Sequence, residues 1–364
     1  MSKTRIAVLF GGRSGEHEVS LVSASSVLEH LDPAKYDVVP IGITKEGKWI
    51  AGPESLRFLK SGTAPSESNA LLRPEPLGAA PGGGELGRID VVFPVLHGPY
   101  GEDGTIQGFL ELTGVPYVGC GVLGSALCMD KVMQKKVLAG LGFKQVKYEW
   151  FWASEWEGRK SQILNEFSLA YPLFVKPANM GSSVGITKAH DAAEFVKAVE
   201  EALAYDRKII VEQGIEHARE IEVAVLGNQQ PAASSPGEII PSNEFYDYDA
   251  KYIDGKSKSE IPAKLSKEKT AEIQGLAARA YKALDCEGLA RVDFLLAGDG
   301  TAYINEVNTI PGFTSISMYP KLWEASGMPY GELLDELIKL ALARAEEKKK
   351  LLVSYQPKTE WHAD

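Results

Sequence analysis

The stretch RVDFLLAGDGTAYINEVNTIPG, residues 291–312, holds polar residues whose types and spacing suit a metal ion. Apolar runs flank Asp299-Gly300, and Asp-Gly between two such runs is a strong signal for a tight β-hairpin. A two-residue turn there puts two pairs of side chains opposite each other on one face of the hairpin. These pairs are Asp293 with Glu306, and Arg291 with Asn308.

Two carboxylates placed opposite each other repel by up to about 1 kcal/mol at a surface, and by more where water is excluded. A positive charge is therefore expected between Asp293 and Glu306. Carboxylate and amide oxygens are the hard ligands that Mg²⁺ takes together with water and phosphate oxygens, so the hairpin predicts a magnesium site for a nucleotide. The hairpin alone leaves a solvent-facing pair of acids open as an alternative. Arg291 beside the acids and Gly-rich segments elsewhere favour the metal.

The loop KPANMGSSVG, residues 176–185, predicts a phosphate-binding site. Its glycines would let backbone amides and the hydroxyls of Ser182 and Ser183 approach phosphate oxygens closely, while Lys176 supplies charge. The order of its residues is not that of a P-loop. A plain surface turn remains the alternative for this segment taken alone.

Three other polar segments are candidates for the edges of a site. Residues 11–16 (GGRSGE) open a helix but lack the order of a dinucleotide-binding loop, and Glu16 could equally cap the helix. Residues 97–104 (HGPYGEDG) follow an apolar strand, at the sheet edge where α/β proteins bind ligands, although a lone histidine is more often structural. Residues 243–252 (NEFYDYDAKY) suit either a lid over charged substrate or an exposed loop.

The elements that must position these residues alternate between strands and helices, which predicts an α/β unit followed by α+β units. Strands are predicted at residues 6–10, 38–43, 89–96, 172–176 and 209–212, and helices at residues 16–31, 130–141, 191–205, 266–284 and 331–350. The predicted domains are 1–128, 129–220 and 221–353, followed by a tail at 354–364. Residues 60–88, rich in Gly, Pro, Ser and Ala, are expected to form a surface excursion.

Composition narrows the class of protein. The length of 364 residues exceeds one usual core, so two or three domains are expected. A net charge of −10 and a pI of about 5.3 argue against a nucleic-acid or anionic-membrane partner. Cys120, Cys128 and Cys286 lack metal-ligand spacing and are odd in number, which argues against a zinc site or a disulfide framework. Neither a signal-peptide core nor a membrane-spanning run is visible, so we expect a cytoplasmic protein.

Taken together, the segments resemble the ATP-grasp carboxylate-amine ligases, and within them the D-alanine–D-alanine ligase family. The matching motifs are GGRSGEHEVSL at 11–21, HGPYGEDGTIQG at 97–108, MDK at 129–131, FVKPANMGSSVG at 174–185, VEQGIEHAREIEV at 211–223, FYDYDAKY at 245–252, RVDF at 291–294 and NEVNTIPGFTSISMYP at 305–320. They stand in the family's order over nearly the whole chain. The resemblance implies a three-domain ATP-grasp architecture with an N-terminal Rossmann-like domain, and a homodimer built on that domain.

The resemblance implies that Mg·ATP phosphorylates the carboxylate of one D-alanine, and that the amine of a second D-alanine attacks the acyl phosphate. The product would be D-alanyl-D-alanine for peptidoglycan synthesis. Two Mg²⁺ ions, with Mn²⁺ as a substitute, are the implied metals, and a dependence on K⁺ is left open. D-serine or D-lactate as second substrate is one alternative, although FYDYDAKY favours an amine. A nucleotide-binding sensor without catalysis is another, against which Arg291 stands together with both acids.

The resemblance also implies a role for each residue that matches a motif. The implied metal ligands are Asp293, Glu306 and Asn308. The implied ATP contacts are Lys131, Lys176, Ser183, Glu212, Gln213, Ile215, Glu220, Lys251 and Asn305. Glu16 would bind the ammonium of the first D-alanine, linked through Ser182 to Tyr252, with His97 nearby. Arg291 and the Gly312 amide would form the oxyanion hole, and Ser317 and Met318 would bind the second D-alanine.

Overall fold

The computed structural model describes residues 3–61, 71–72, 88–241, 257–352 and 354–355, and the elements below are those of this part of the chain. The strands are β1 (Thr4–Gly11), β2 (Tyr36–Ile43), β3 (Trp49–Ala51), β4 (Leu71–Leu72), β5 (Val91–Val95), β6 (Tyr148–Trp152), β7 (Leu173–Pro177), β8 (Thr187–Ala189), β9 (Lys208–Gln213), β10 (Arg219–Gly227), β11 (Ala232–Ala233), β12 (Gly237–Ile240), β13 (Lys258–Glu260), β14 (Gly288–Leu296) and β15 (Ala302–Asn308). The helices are α1 (His17–His30), α2 (Ser55–Ser61), α3 (Thr105–Thr113), α4 (Val122–Met129), α5 (Lys131–Gly140), α6 (Ala153–Glu166), α7 (Ala192–Ala202), α8 (Lys267–Ala283), α9 (Met318–Ala325) and α10 (Tyr330–Lys348).

The N-terminal sheet has the strand order β4-β3-β2-β1-β5, and β1 runs parallel to both β2 and β5. All residues from Ile6 to Phe10 are fully buried, as expected for a central strand covered on both faces. Gly11 has a φ of +87°, and a Cβ there would lie 2.2 Å from the carbonyl oxygen of Ile43. Only glycine fits this turn, so the predicted strand, Gly-rich turn and helix are confirmed.

The second sheet has the order β6-β9-β7-β8 with antiparallel pairings throughout. Helix α7 begins as predicted, because the Asp191 carboxylate accepts the backbone N–H groups of Ala193 and Glu194. The Glu194 carboxylate accepts the N–H of His190, the residue before Asp191. Sequence periodicity missed β6 and α6. The domain boundaries at residues 128 and 220 stay predictions.

The third sheet has the order β13-β12-β10-β14-β15, with β11 on β10, and contains the predicted hairpin. The predicted two-residue turn is wrong: Ala297 pairs with Thr301 across a three-residue loop in which Gly300 has a φ of +82°. A register shift follows between Asp293 and Phe294, opposite the bulged residue Asn305. The longer loop and the bulge shift the register in opposite directions and cancel. The predicted pairings of Asp293 with Glu306 and of Arg291 with Asn308 are therefore confirmed.

One apolar core joins the N-terminal sheet to the C-terminal part of the chain. Phe93 packs edge to face against Phe313, and Phe313 also contacts Tyr319 at the start of α9 and Tyr330 at the start of α10. Fully burying one such aromatic side chain contributes up to about 3 kcal/mol. This core fixes the loop that carries Gly312 against α1.

The surface excursion, the lid segment and the tail fall largely outside the described residues. Lys251 and Tyr252 are both among the residues that the structure does not describe. Among those that it does describe, none of the helices has the length and apolar character needed to span a membrane.

Candidate active site

A cleft of about 630 Å³ lies between the second and third sheets. Its lining includes most of the residues that the sequence assigned to ATP: Lys176, Ser183, Glu212, Gln213, Ile215, Glu220 and Asn305. Asp293, Glu306 and Arg291 line the same cleft, and so does Glu222. The structure therefore brings most of the predicted nucleotide and metal residues into one space, although Lys131 and Asn308 are not part of its lining.

Three carboxylates stand in one row across β10, β14 and β15, which we call the acidic wall: Glu222, Asp293 and Glu306 with Arg291 beside them. Asp293 pairs with Glu222 on one side and with Glu306 on the other. Arg291 binds Asp293 through Nε at 2.8 Å and through its terminal nitrogen at 2.6 Å, and its Nε lies 3.2 Å from a Glu222 oxygen. Burial would lower the pKa of Arg291, but Asp293 and Glu222 outweigh it and raise the pKa well above its usual value.

Sequence reasoning missed Glu222. The available signal was its spacing two residues after Glu220 within the apolar run of β10, because residues two apart in a strand point to the same face. A second acid on a buried strand face is uncommon unless it is paired. Glu222 meets that condition through Arg291.

The acidic wall fits a magnesium ion. Asp293, Glu306 and Asn308 offer oxygen ligands, and the Asn308 side-chain oxygen also accepts the N–H of Ile310 at 3.0 Å. Within the described residues there is no group of three or more His, Cys, Asp or Glu side chains arranged to hold a metal ion alone. Mg²⁺ needs no such group, since it usually takes one or two carboxylates and completes its shell with water and phosphate oxygens.

Lysines lie on the other side of the acids, and we call this set the basic wall: Lys135 and Lys176, which contact Glu212, and Lys131, which lies next to Glu306. Lys135 Nζ lies 2.7 Å from one Glu212 oxygen, and Lys176 Nζ lies 2.5 Å from the other. Lys131 donates to the carbonyl of Met180 at 2.6 Å and lies 3.9 Å from Glu306. The positive charges expected near the two acids are thus Arg291 and Lys131.

Glu212 is held as a carboxylate. Burial alone would raise its pKa, but the charges of Lys135 and Lys176 outweigh burial and lower the pKa to about 2. Lys135 was not predicted from the sequence to belong to the site. Its signal was the spacing of four residues from Lys131 along α5, which places both on one side of the helix.

Glu16 and Ser182 meet across two units of the fold. The Ser182 hydroxyl donates to the Glu16 carboxylate, and Glu16 is 5% exposed. A Cβ at Gly98 or Gly181 would lie 2.6 or 2.5 Å from the same carboxylate oxygen of Glu16. The capping alternative for Glu16 is wrong, because its side chain makes no capping hydrogen bond to α1. Ser182 holds a φ of +47°, a strained value that serine adopts where its surroundings enforce it.

His97 connects the N-terminal sheet to the loop before Gly312. Its Nδ1 donates to the carbonyl of Ile310 at 3.0 Å, and its Nε2 lies 3.0 Å from the hydroxyl of Ser23. Ser23 also accepts the N–H of Phe313 at 3.3 Å. Burial would lower the pKa of His97, but the carboxylate of Glu102 outweighs burial and raises it. Ser23 was another residue that sequence reasoning missed.

Gly312, proposed for the oxyanion hole, lies with the second-substrate residues Ser317 and Met318 after β15, whereas Arg291, the other group proposed for the oxyanion hole, lies on β14. Ser317 Oγ accepts the N–H of Thr314 at 3.0 Å, and a Cβ at Gly312 would lie 2.8 Å from the same oxygen. The Met318 side chain packs into the core and is 7% exposed. Any substrate contact of Met318 would therefore be made by its backbone.

Fold and site together define an ATP-grasp enzyme. A family model described as the D-ala D-ala ligase N-terminus matches residues 5–120, and one described as the D-ala D-ala ligase C-terminus matches residues 137–339. The chain therefore belongs to the D-alanine–D-alanine ligase family.

Individual relatives agree with this membership. A D-alanine–D-alanine ligase of Natranaerobius thermophilus is 52% identical over 96% of this chain and 97% of its own length. The ligase of the same name from Clostridium acetobutylicum is 53% identical over 94% and 99%. The solved D-alanine-D-alanine ligase of Coxiella burnetii matches with a TM-score of 0.80 at 39% identity, over 96% of this chain and 97% of its own. The VanG D-Ala:D-Ser ligase of Enterococcus faecalis also gives 0.80 at 39% identity, over 93% and 100%.

Proposed function

We propose that this enzyme uses ATP to join two D-alanine molecules into D-alanyl-D-alanine, a peptidoglycan precursor, through a D-alanyl phosphate intermediate. The observation that carries the proposal is one cleft lined by the acidic wall on one side and by Lys176 on the other, with Lys131 and Lys135 next to the lining residues Glu306 and Glu212. Such a cleft suits a nucleotide whose phosphates need both divalent cations and lysines. Family membership supplies the substrate class.

The chemistry explains why phosphate is needed. A free carboxylate resists attack by an amine because oxide is a poor leaving group, whereas phosphate leaves readily from an acyl phosphate. Negative charge grows first on the transferred phosphoryl group and then on a tetrahedral oxyanion, so catalysis is mainly positioning and electrostatic stabilisation. No covalent nucleophile on the enzyme is required.

We assign the nucleotide to the cleft between the walls. Lys131 and Lys176 would bind phosphates, the backbone of Glu212 and Ile215 would meet adenine, and Glu220 would meet the ribose. Gln213, Ser183 and Asn305 line the same cleft, and Lys251 is assigned to the γ-phosphate. Asp293, Glu306 and Asn308 would hold Mg²⁺, which when bound neutralises phosphate charge.

We assign the amino acids to the corner where the N-terminal sheet meets the third sheet. Glu16 would pair with the ammonium of the first D-alanine, with Ser182 orienting the carboxylate. Arg291 and the Gly312 N–H would stabilise the oxyanion. Ser317 would accept the carboxylate of the second D-alanine. His97 would hold the Gly312 loop in place, which its bond to Ile310 supports.

Several finer predictions accompany this proposal. Tyr252 would close the lid over the first substrate. Mn²⁺ replacing Mg²⁺, a dependence on K⁺, the homodimer, the cytoplasmic location and the domain boundaries stay predictions.

The D-serine and D-lactate alternatives are not favoured. The D-alanine–D-alanine ligases of Natranaerobius thermophilus and Clostridium acetobutylicum exceed 50% identity, whereas the Coxiella burnetii ligase and the D-Ala:D-Ser ligase are each 39% identical. Overall fold does not separate the two, since the solved ligases of both kinds give the same TM-score. Acceptor preference must therefore be measured.

The test is product analysis with ATP, magnesium and D-alanine, alone and with D-serine or D-lactate. We expect ADP, phosphate and D-alanyl-D-alanine in equal amounts. Phosphate release that requires D-lactate at neutral pH would refute the dipeptide assignment. ATP binding without ADP formation would identify a sensor instead.

A further inference from the structure

Lys135 is a buried lysine next to the nucleotide cleft, and no step described so far uses it. Its side chain is 2% exposed, and it stands behind the cleft rather than in its lining. Its ammonium lies 2.7 Å from Glu212 and 5.4 Å from the centroid of the Tyr148 ring. Burying a lysine costs several kcal/mol unless it is paired, so the pairing with Glu212 explains why it is tolerated but not why it is there.

The charges around Glu212 indicate a role for Lys135. The second oxygen of Glu212 lies 2.5 Å from Lys176 Nζ, and both residues line the cleft, so this contact holds the lysine at the cleft wall. A carboxylate with a single lysine would be a neutral pair, and Lys176 would offer little net charge to a phosphate. With Lys135 on the other oxygen, the three groups keep one net positive charge. The side chain of Glu212 can then hold Lys176 without neutralising it.

We propose that Lys135 is a positioning residue for the triphosphate, whose charge offsets Glu212 so that Lys176 stays both oriented and electrostatically available. The inference rests on the proposed function, which places phosphates at Lys176. It deepens that function by assigning a role to a side chain that touches no substrate.

The test compares ligands with and without phosphates on the full-length protein. Lys135→Met should weaken ADP and ATP binding about tenfold, the scale of one charge lost a few ångströms away. Binding of adenosine should be unchanged, because adenosine carries no phosphate. Lys136→Met is the matched control: it removes the same charge from the next residue of α5, where the side chain is exposed and lies over Trp150. That variant should bind all three ligands like the wild type.

Neutralising Glu212 as well as Lys135 should restore part of the lost ADP affinity. In the double variant Lys135→Met/Glu212→Gln the remaining lysine faces a neutral partner, so the net charge returns to one. ADP should bind the double variant more tightly than it binds Lys135→Met. Isothermal titration calorimetry with ADP and with adenosine measures both effects, and adenosine also reports whether each variant keeps its fold.

Three results would overturn the inference. These are unchanged ADP affinity in Lys135→Met, equal loss for ADP and adenosine, and a double variant no better than the single one. Lys176→Met separates the inference from the function beneath it. If Lys176→Met loses ADP affinity while Lys135→Met does not, the role of Lys135 alone is wrong. If Lys176→Met binds ADP normally, the placement of the phosphates is wrong as well.

Discussion

The acidic wall and the basic wall have mirrored compositions but different origins. The acidic wall has three carboxylates, two of which contact Arg291, and the basic wall has three lysines, two of which contact Glu212. The acids lie on adjacent strands of one sheet, so the register of an antiparallel ladder aligns them. The lysines come from α5 and β7, and Glu212 from β9, so their meeting depends on how a helix packs on the second sheet.

The two walls differ in the sign of their net charge, and each net charge is available to a ligand of the opposite sign. Each wall contains one opposite charge that contacts two of its neighbours, and the charges summed over each wall keep the sign of its majority. On the acidic wall the surplus is negative and suits divalent cations. On the basic wall it is positive and suits phosphates. Lys131 and Glu306, 3.9 Å apart, are where the two walls approach each other.

Removing a carboxylate from the acidic wall should have the largest effect. Glu306→Gln keeps the shape of the side chain but removes a charge that a metal ion requires, so kcat should fall by about 100-fold or more while the protein stays folded. ADP formation across a magnesium titration measures the loss. Asp299→Asn, at the hairpin turn away from the cleft, is the control. A near wild-type rate at ordinary magnesium would refute the metal assignment.

Changing the counter-charge of the acidic wall should have the next largest effect. Arg291→Lys keeps the charge but loses the two-point contact with Asp293, because lysine lacks the planar fork of arginine. We expect kcat to fall by roughly tenfold or more, with the KM for ATP little changed. Steady-state kinetics with ATP and D-alanine varied separately test this. A rise in the KM for ATP with kcat preserved would place Arg291 in nucleotide binding instead.

A site outside both walls sharpens the comparison. Ser182→Ala removes the donor to Glu16, and a hydrogen bond to a charged group is worth about 1.5–3 kcal/mol. The KM for D-alanine should rise by roughly tenfold while the KM for ATP stays constant. Equal changes in both would show that Glu16 and Ser182 do not form a separate amino-acid site.

The smallest effect concerns stability rather than rate. The pKa of Glu212 is lowered to about 2 from an ordinary 4.5, so its stabilising contribution is present above about pH 4.5 and is lost as pH falls toward 2. The free energy of unfolding of the wild type should therefore decline more steeply over this range than that of Glu212→Gln. Urea unfolding between pH 2 and pH 7 measures both. Parallel curves would mean that Glu212 is not held as a buried carboxylate.

The pairing at the centre of the acidic wall could be predicted from the sequence, because strand alternation and an Asp-Gly turn place Asp293 opposite Glu306. The prediction succeeded although the turn is one residue longer than expected, since the bulge at Asn305 restored the register. Neither the longer turn nor the bulge has a strong sequence signal.

The basic wall was only partly accessible. Lys131 and Lys176 were assigned through the family motifs, and the spacing of Lys135 from Lys131 indicates only a shared side of α5. The contact of Lys135 with Glu212, 77 positions away, depends on the packing of α5 against β9. Ser23 could not be predicted for the same reason, because its hydroxyl accepts the N–H of Phe313, a residue distant in the sequence. Local spacing predicts pairs within one hairpin, whereas side chains that meet through tertiary packing require the fold.

A crystal structure with ADP and magnesium would show whether both walls bind the nucleotide. We expect Mg²⁺ bound by oxygens of Asp293 and Glu306 and by the diphosphate, with Lys131 and Lys176 on the phosphates from the opposite wall. A structure in which other groups hold the metal and the phosphates lie away from both lysines would contradict it.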